Sequence, residues 1–477
     1  MEKLFYKSQK RKRLRVSSTS IREGEERVGK DLISLLPEPL LCHILSFLTT
    51  EQAVWTSVLS SRWRHLWKFV PRLELDSFDF TNDKVCVDFI HKYLALQGKP
   101  YYLREFKLTI DHDIFDSEAS LYGPCLGGVD MRRLETFQIK NKLGRGGFDD
   151  FRTRLTLSAC EALVCLKLHF VRLNDDDLES LSLPCLKIMF LEDVVMPSDS
   201  AAEALISSSP VLEVLKISLS RDDFVVALRV CSPSLNSFTL KRVNPIYARG
   251  HSVVIDAPKL EYLSLMDYYH FRSFEIISKA ESFKVDIDVE FELMTDYLSE
   301  QKIIDNLLNS FSGVKVMTIS WKTLQFIHSS PQTNFLPKFH GLTRLRVSMC
   351  LNASPQLLPI VLESCPNLKH LTLELLIHYP EVIARLSTVL PRCLVSSLVS
   401  VEMDSPVTEI ATELDLSRYF MKNSTTLKKV VLRLNQSSTG EKHKPGVLEQ
   451  LIESPRRSAL CQFEVIPVVT ISESSIA

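Results

Sequence analysis

The stretch Asp31–Asp76, DLISLLPEPLLCHILSFLTTEQAVWTSVLSSRWRHLWKFVPRLELD, holds too many large apolar residues to bury them by itself. Leu36, Leu40, Leu41, Ile44, Leu45, Phe47 and Leu48 recur at three- and four-residue spacing, which predicts a helix with an apolar face. Thr49 and Thr50 end that helix, and Thr49 with Gln52 has the spacing of a capping box that starts the next. A second helical pattern runs through Ala53, Val54, Val58 and Leu59, and a shorter third carries Trp63, Leu66 and Trp67. Three short helices in roughly 45 residues leave apolar surface uncovered, because small units bury a smaller share of their surface. A partner protein is the simplest cover.

Working outward, the chain repeats itself from residue 70 onward. The unit is L-x-x-L-x-L with loose apolar substitution, clearest at Leu163/Leu166/Leu168, Leu186/Met189/Leu191, Leu212/Leu215/Ile217, Leu235/Phe238/Leu240 and Leu260/Leu263/Leu265. Successive copies there are 23, 26, 23 and 25 residues apart, within the period of leucine-rich repeats. Each unit has one apolar-in strand that only stacked neighbours can cover. Short helical returns are predicted at Ser198–Ser209 and Leu357–Ser364, each closed by a proline before the next strand. Near Phe283 the repeat is degenerate, which reads as insertions in the returns. The fold class expected is therefore α/β: a three-helix N-terminal module followed by a curved repeat solenoid.

Composition is that of an ordinary soluble chain, with 45% hydrophobic and 24% charged residues among 477. No apolar run approaches the ~18 residues of a membrane span, and Lys7–Arg15 is basic where a signal peptide would be apolar. A reducing compartment follows, in which the 11 cysteines are free thiols. Residues 1–30 carry ten Lys/Arg against four Asp/Glu, so the rest of the chain is net negative. Lys10, Arg11, Lys12 and Arg13 in that basic tail form a candidate nuclear-import signal, giving an expected localisation in nucleus and/or cytoplasm. No base-reading elements extend the patch, so nucleic acid is not an expected partner.

LPEPLLCHILSFL followed by AVWTSVLSSRWRHLW resembles the F-box in its plant form. That resemblance implies docking on a Skp-family adaptor and, through it, on a cullin-RING ubiquitin ligase. The positions matching those that face the adaptor, or set the helices against it, are Leu36, Pro37, Leu40, Ile44, Leu45, Leu48, Val58 and Trp63. PCLKIMFLEDVVM and SSSPVLEVLKIS resemble the plant leucine-rich repeats that follow such a module. Leu390–Leu434 resembles the FBD domain at Cys393-Leu394, Ser396–Leu398, Val401-Glu402, Leu416, Tyr419-Phe420, Asn423 and Leu427–Val430. It departs at Asp404–Val407, which lacks the family's usual aromatic and glycine. The expected domains are a basic tail (1–30), the F-box (31–76), leucine-rich repeats (77–389), and an FBD region with cap (390–477).

Catalytic signatures are missing: there is no HExxH, no G-x-S-x-G and no phosphate loop. Gly144, Gly146 and Gly147 read as a loop tip, and Asp175, Asp176 and Asp177 as an exposed loop. Cys160 and Cys165 lack the second pair of a zinc site, with Cys165 expected in the core. No cofactor or metal is expected. The reading is a non-catalytic target receptor; the alternatives are a ligase-independent interaction scaffold and an unrecognised hydrolase. In an L-x-x-L-x-L strand the residue between the two inward side chains points outward. This places Lys107, Gln138, Lys167, Phe190, Lys216, Thr239, Ser264, Thr318, Arg346 and Thr372 on one face, expected to be mildly basic. Lys167, Phe190, Lys216 and Arg346 are the expected target-binding residues, selecting an acidic or phosphorylated segment.

Overall fold

The computed structural model describes residues 33, 35–96, 102–111, 121–142, 152–157, 160–174, 181–219, 224–242, 251–267, 271–289, 305–329, 336–349, 357–376, 390–405, 410–435 and 454–468. The chain divides into two compact units, with the boundary between Leu235 and Asn236 inside the repeats.

The first unit opens with helix α1 (Glu38–Leu45) and helix α2 (Thr50–Trp55). The Thr49 hydroxyl accepts from the Gln52 backbone N–H while the Gln52 side chain accepts from that of Thr49, forming the expected capping box. Beyond α2 the chain tightens into 3-10 turns at Thr56–Val58 and Trp63–Phe69, so the third expected helix is not an α-helix. A 3-10 segment has three residues per turn, and it aims Trp63, Leu66 and Trp67 all inward.

Strands β1 (Arg72–Asp76), β2 (Glu105–Ile110), β3 (Thr136–Asn141), β5 (Cys165–His169), β7 (Ile188–Val194) and β8 (Val214–Leu219) form one parallel sheet in chain order. Strands β4 (Thr153–Leu155) and β6 (Val171–Leu173) pair separately, and β9 (Ala227–Cys231) ends the unit. Register stacks Leu73, Phe106, Phe137, Leu166, Met189 and Leu215 in one buried column, all fully enclosed. Chain order with parallel pairing means that every return must cross back over the sheet. The returns carry the helices, among them the 14-residue α3 (Asp83–Leu96) and the shorter α4 (Tyr122–Gly127) and α5 (Asp199–Ser207). Ser198 caps α5 through the Ala201 N–H, and the Asp199 carboxylate accepts from Val226 and Ala227 N–H groups, tying helix to β9.

The F-box-like helices share their core with the first repeat. Trp67 stacks against Phe89 and Tyr93 of α3, and the Tyr93 hydroxyl donates to the Val70 carbonyl. Thr50 accepts from the Glu74 N–H at 2.8 Å, pinning α2 to β1.

The second unit contains β10 (Ser237–Arg242), β12 (Tyr262–Asp267), β14 (Lys284–Val289), β15 (Val316–Ile319), β16 (Arg344–Met349), β17 (His370–Leu375), β18 (Ser400–Ser405), β19 (Lys429–Asn435) and β20 (Gln462–Val468) in one parallel sheet, again in chain order. A further parallel pair joins β11 (His251–Asp256) to β13 (Phe271–Ser278). Helices at Trp321–Ser329, Leu357–Glu363, Arg392–Ser396 and Ile410–Asn423 lie in the returns. The FBD-like region is built from strand β18, the helix Ile410–Asn423 and strand β19. At Phe283 the motif does depart from the others, since Phe283 precedes Val285 by two residues and not three, yet all three of Phe283, Val285 and Ile287 are buried and β14 pairs in register on both sides. Valine and isoleucine stand there in place of leucine, which weakens the motif without altering the period-two packing.

Candidate functional site

Two surfaces carry the expected site residues. The first is the outer side of the N-terminal helices. Helix α1 is apolar on two sides: Leu41 and Leu45, four residues apart, are buried, while Leu40 and Ile44, also four apart, face outward. Among the described residues, eight of the sixteen exposed large hydrophobic residues fall between Ile33 and Leu59. They include Phe47, Val58 and Leu59, which are 75%, 73% and 66% exposed. An apolar helix flank and its following turn, left open to water while the chain's core is closed, is the mark of an interaction surface.

The expected adaptor-facing set divides accordingly. Pro37, Leu40, Ile44 and Val58 are exposed, and Leu36 and Leu48 half-buried. Leu45 and Trp63, at 0% and 4% exposure, belong to the core and set the helices rather than present a surface. Arg62 donates to the Leu36 carbonyl, which holds the turn ahead of Pro37 against the 3-10 segment. Sequence reasoning missed Trp55 and Leu59 as surface groups. Their period-3.6 position beside Val58 was the available signal.

The second surface is the outward side of the repeat strands. In the first unit, register brings Lys107, Gln138, Lys167, Phe190 and Lys216 into one row, as expected, with Glu74 of β1 at its start. In the second unit the row reads Thr239, Ser264, Asp286, Thr318, Arg346, Thr372, Glu402, Val431 and Glu464. The expectation of a mildly basic face is therefore corrected. Asp286, Glu402 and Glu464 occupy the same row, and were missed because β14 was read as degenerate and the last strands were not included.

Ionic pairing separates the two rows further. Arg346 reaches Glu374 at 3.4 Å and Asp404 at 3.2 Å, and Arg433 reaches Glu402 at 2.8 Å and Asp404 at 3.6 Å. Lys429 pairs with Glu464 at 2.5 Å. Asp404, at the position of the FBD departure, thus joins three strands through two arginines. Burial pushes the Asp286 carboxyl up, and Asp288 adds to the shift against the pull of the Tyr262 hydroxyl and Arg346. His370 is held below its ordinary range by burial and by Arg344 and Lys369, and its Nδ1 lies 2.8 Å from the Ser400 hydroxyl. That hydrogen bond ties β17 to β18, where His370 and Ser400 stand in register.

Cysteine chemistry is equally quiet. Burial pushes the Cys86 and Cys393 thiols up to about 12 and Cys125 to about 11, where they stay protonated and inert. Cys165 corrects another expectation: it is half-buried on the outward face, not in the core. Among the described residues no group of three or more His, Cys, Asp or Glu side chains could hold a metal, and no helix is long and apolar enough to cross a membrane. Lys10, Arg11, Lys12, Arg13, Gly144, Gly146, Gly147 and Asp175–Asp177 lie outside the described residues.

Known families match both surfaces. The F-box domain model matches residues 33–75, the model described as "FBD-associated F-box protein At5g56370, LRR repeats" matches residues 143–285, and the FBD model matches residues 387–432. The chain is 62% identical over 448 residues to the Arabidopsis thaliana F-box/FBD/LRR-repeat protein At5g18770, covering 92% of each. It belongs to the plant F-box/FBD/LRR-repeat family. It is also 51% identical to the FBD-associated F-box protein At5g18780 of the same plant, over 92% of this chain and 98% of that one. Members of this family are as a rule non-catalytic adaptors, and an F-box in general binds a Skp-family protein. The exposed flank of α1 lies inside the matched F-box.

Proposed function

We propose that the chain is the target-recognition subunit of an SCF-type (cullin-RING) ubiquitin ligase. The outward stripe of Leu40 and Ile44 with Pro37 and Val58 docks on a Skp-family adaptor, and a cullin is reached through that adaptor. The repeats form a curved solenoid whose outward strand face holds the target protein. The chain performs no bond chemistry in this reading. It raises the effective concentration of target lysines beside a charged ubiquitin-conjugating enzyme, which is rate enhancement by proximity.

The observation that carries the proposal is the two-sided apolar character of α1, one side closed by the core and the other open. Its test is co-precipitation of a purified Skp-family adaptor with the full chain. Leu36→Ala with Pro37→Ala lowers capture well over tenfold, since a few buried anchors each contribute ~2 kcal/mol or more to such an interface. Undiminished capture by that double variant sinks the assignment.

Residues 1–30 serve as an import signal in the same reading, through Lys10, Arg11, Lys12 and Arg13. A reporter fused to 1–30 accumulates in the nucleus and redistributes when these four become Ala. An even distribution of both reporters leaves the tail a solvated linker.

A further inference from the structure

Within the first unit, the outward positions of β5, β7 and β8 combine two chemistries. One row is apolar, formed by Cys165, Ile188 and Val214 in register, all half-buried. The next row is Lys167, Phe190 and Lys216. The Phe190 ring has the Lys167 ammonium 5.1 Å and the Lys216 ammonium 6.0 Å from its centroid. Lys216 also pairs with Glu192. Among the described residues Lys167 has no carboxylate partner, and neither does Lys140, which projects from β3 in register with His169. The outward positions of β3, β5, β7 and β8 therefore hold Lys140, Lys167 and Lys216 against Glu192, with Asp193 half-buried at the irregularity that follows it in β7.

An apolar centre with a polar rim is the anatomy of a protein interface, and aromatic residues are enriched at its energetic centre. The rim here is cationic and partly unneutralised. Ammonium groups over a ring are already oriented by its quadrupole, so a carboxylate arriving at the rim finds donors with less side-chain freedom to lose. In the second unit Arg346, Arg433 and Lys429 are each engaged by carboxylates of their own face, whereas Lys284 and Arg344 on the same outward side have no such pair among the described residues and no ring contact.

We infer that the outward face of β3 to β8, centred on Phe190, captures a carboxylate-rich peptide segment that carries a large apolar side chain. The apolar side chain packs on Phe190, Ile188 and Val214, and its flanking carboxylates meet Lys140 and Lys167. This deepens the ligase reading and rests on its claim that the repeat face holds the target. It also removes Arg346 from the expected target-binding set.

The test probes the full chain with an array of random 12-residue peptides. A matched set carries phosphoserine in place of each glutamate. Bound sequences are expected to place Asp or Glu beside Leu, Phe or Trp. Binding of the best ones should fall at least tenfold in Lys140→Glu/Lys167→Glu and in Phe190→Ala, but not in Lys284→Glu of the second unit. Adaptor capture and the thermal midpoint of each variant establish that it is folded. Preference for the phosphoserine copies supports the same anion site and assigns phosphate as the source of its charge. Enrichment without acidic residues, no peptide above background, or binding that survives the charge reversal overturns the inference. Failure of the wild-type chain to capture the adaptor is read separately, and counts against the ligase reading alone.

Discussion

The outer flank of α1 and the outward strand face of the second unit are both open to water, and they solve that exposure in opposite ways. On α1, Leu40 and Ile44 leave an apolar stripe with nothing on this chain described as covering it. On the second unit's sheet, Arg346, Glu374, Asp404, Arg433 and Glu402 neutralise one another across four strands, β16 to β19. An uncovered apolar surface gains free energy when a partner removes it from water, in proportion to its area. A surface whose charges are already paired gains little, because a partner must first displace those pairs. The difference teaches where to look for a partner: at α1, and among repeat strands where cations are not already spoken for.

The comparison breaks most visibly if α1 is made polar. Leu40→Asp with Ile44→Asp removes two anchors of at least ~2 kcal/mol each, so adaptor affinity should fall by about a thousandfold in a titration. The unfolding midpoint in urea should stay put. A matching loss of stability would show that the outward stripe is core after all.

The inward stripe of the same helix gives the mirror image. Leu45→Ala opens a cavity at a fully buried site and should cost ~2–5 kcal/mol of stability. Its effect on adaptor affinity should appear only at denaturant concentrations where the variant begins to unfold. Urea melts and adaptor titrations on the one sample separate the two effects.

A smaller effect is expected where polar groups are buried together. The Tyr122 hydroxyl donates to the Asp83 carboxylate at 2.7 Å, joining α4 to α3, and both residues are buried. Tyr122→Phe withdraws that donor at almost constant volume, and should cost about 1–3 kcal/mol. A neutral result in chemical denaturation would mean that the remaining partners of Asp83 suffice.

Least of all should follow from the exposed pairs of the second unit. Arg346→Ala should change stability by less than ~1 kcal/mol, because exposed ion pairs are screened and cost side-chain entropy to hold. Raising the salt concentration should shrink that difference further. Arg346→Ala should also leave target capture unchanged. A large loss of capture would return Arg346 to the binding surface.

Much of the architecture was legible in advance because it is periodic. The L-x-x-L-x-L copies from Leu163 to Leu265 became β5, β7, β8, β10 and β12 with their apolar positions buried. The capping box at Thr49 and Gln52, and the helix after Ser198, were likewise local patterns in which side chains satisfy the backbone groups next to them. Legibility failed where the signal was not local. Val285 and Ile287 pack as well as leucines, but only the pairing of β14 with β12 and β15 shows it. Cys165 looked like core by its apolar character, yet it takes the outward phase of its strand.

The sequence by itself determined the class of fold, the family and the apolar excess of residues 31–76, since these depend on spacing between near neighbours and on composition. Only the tertiary structure decided which apolar residues of that segment face water, separating Leu40 and Ile44 from Leu41 and Leu45 on one short helix. Only it set Asp404 between Arg346 and Arg433, residues 58 and 29 positions away. The physical reason is that hydrophobicity and strand propensity are properties of a residue and its neighbours in the chain. Burial of a given side and the pairing of a given charge depend on what long-range register brings alongside.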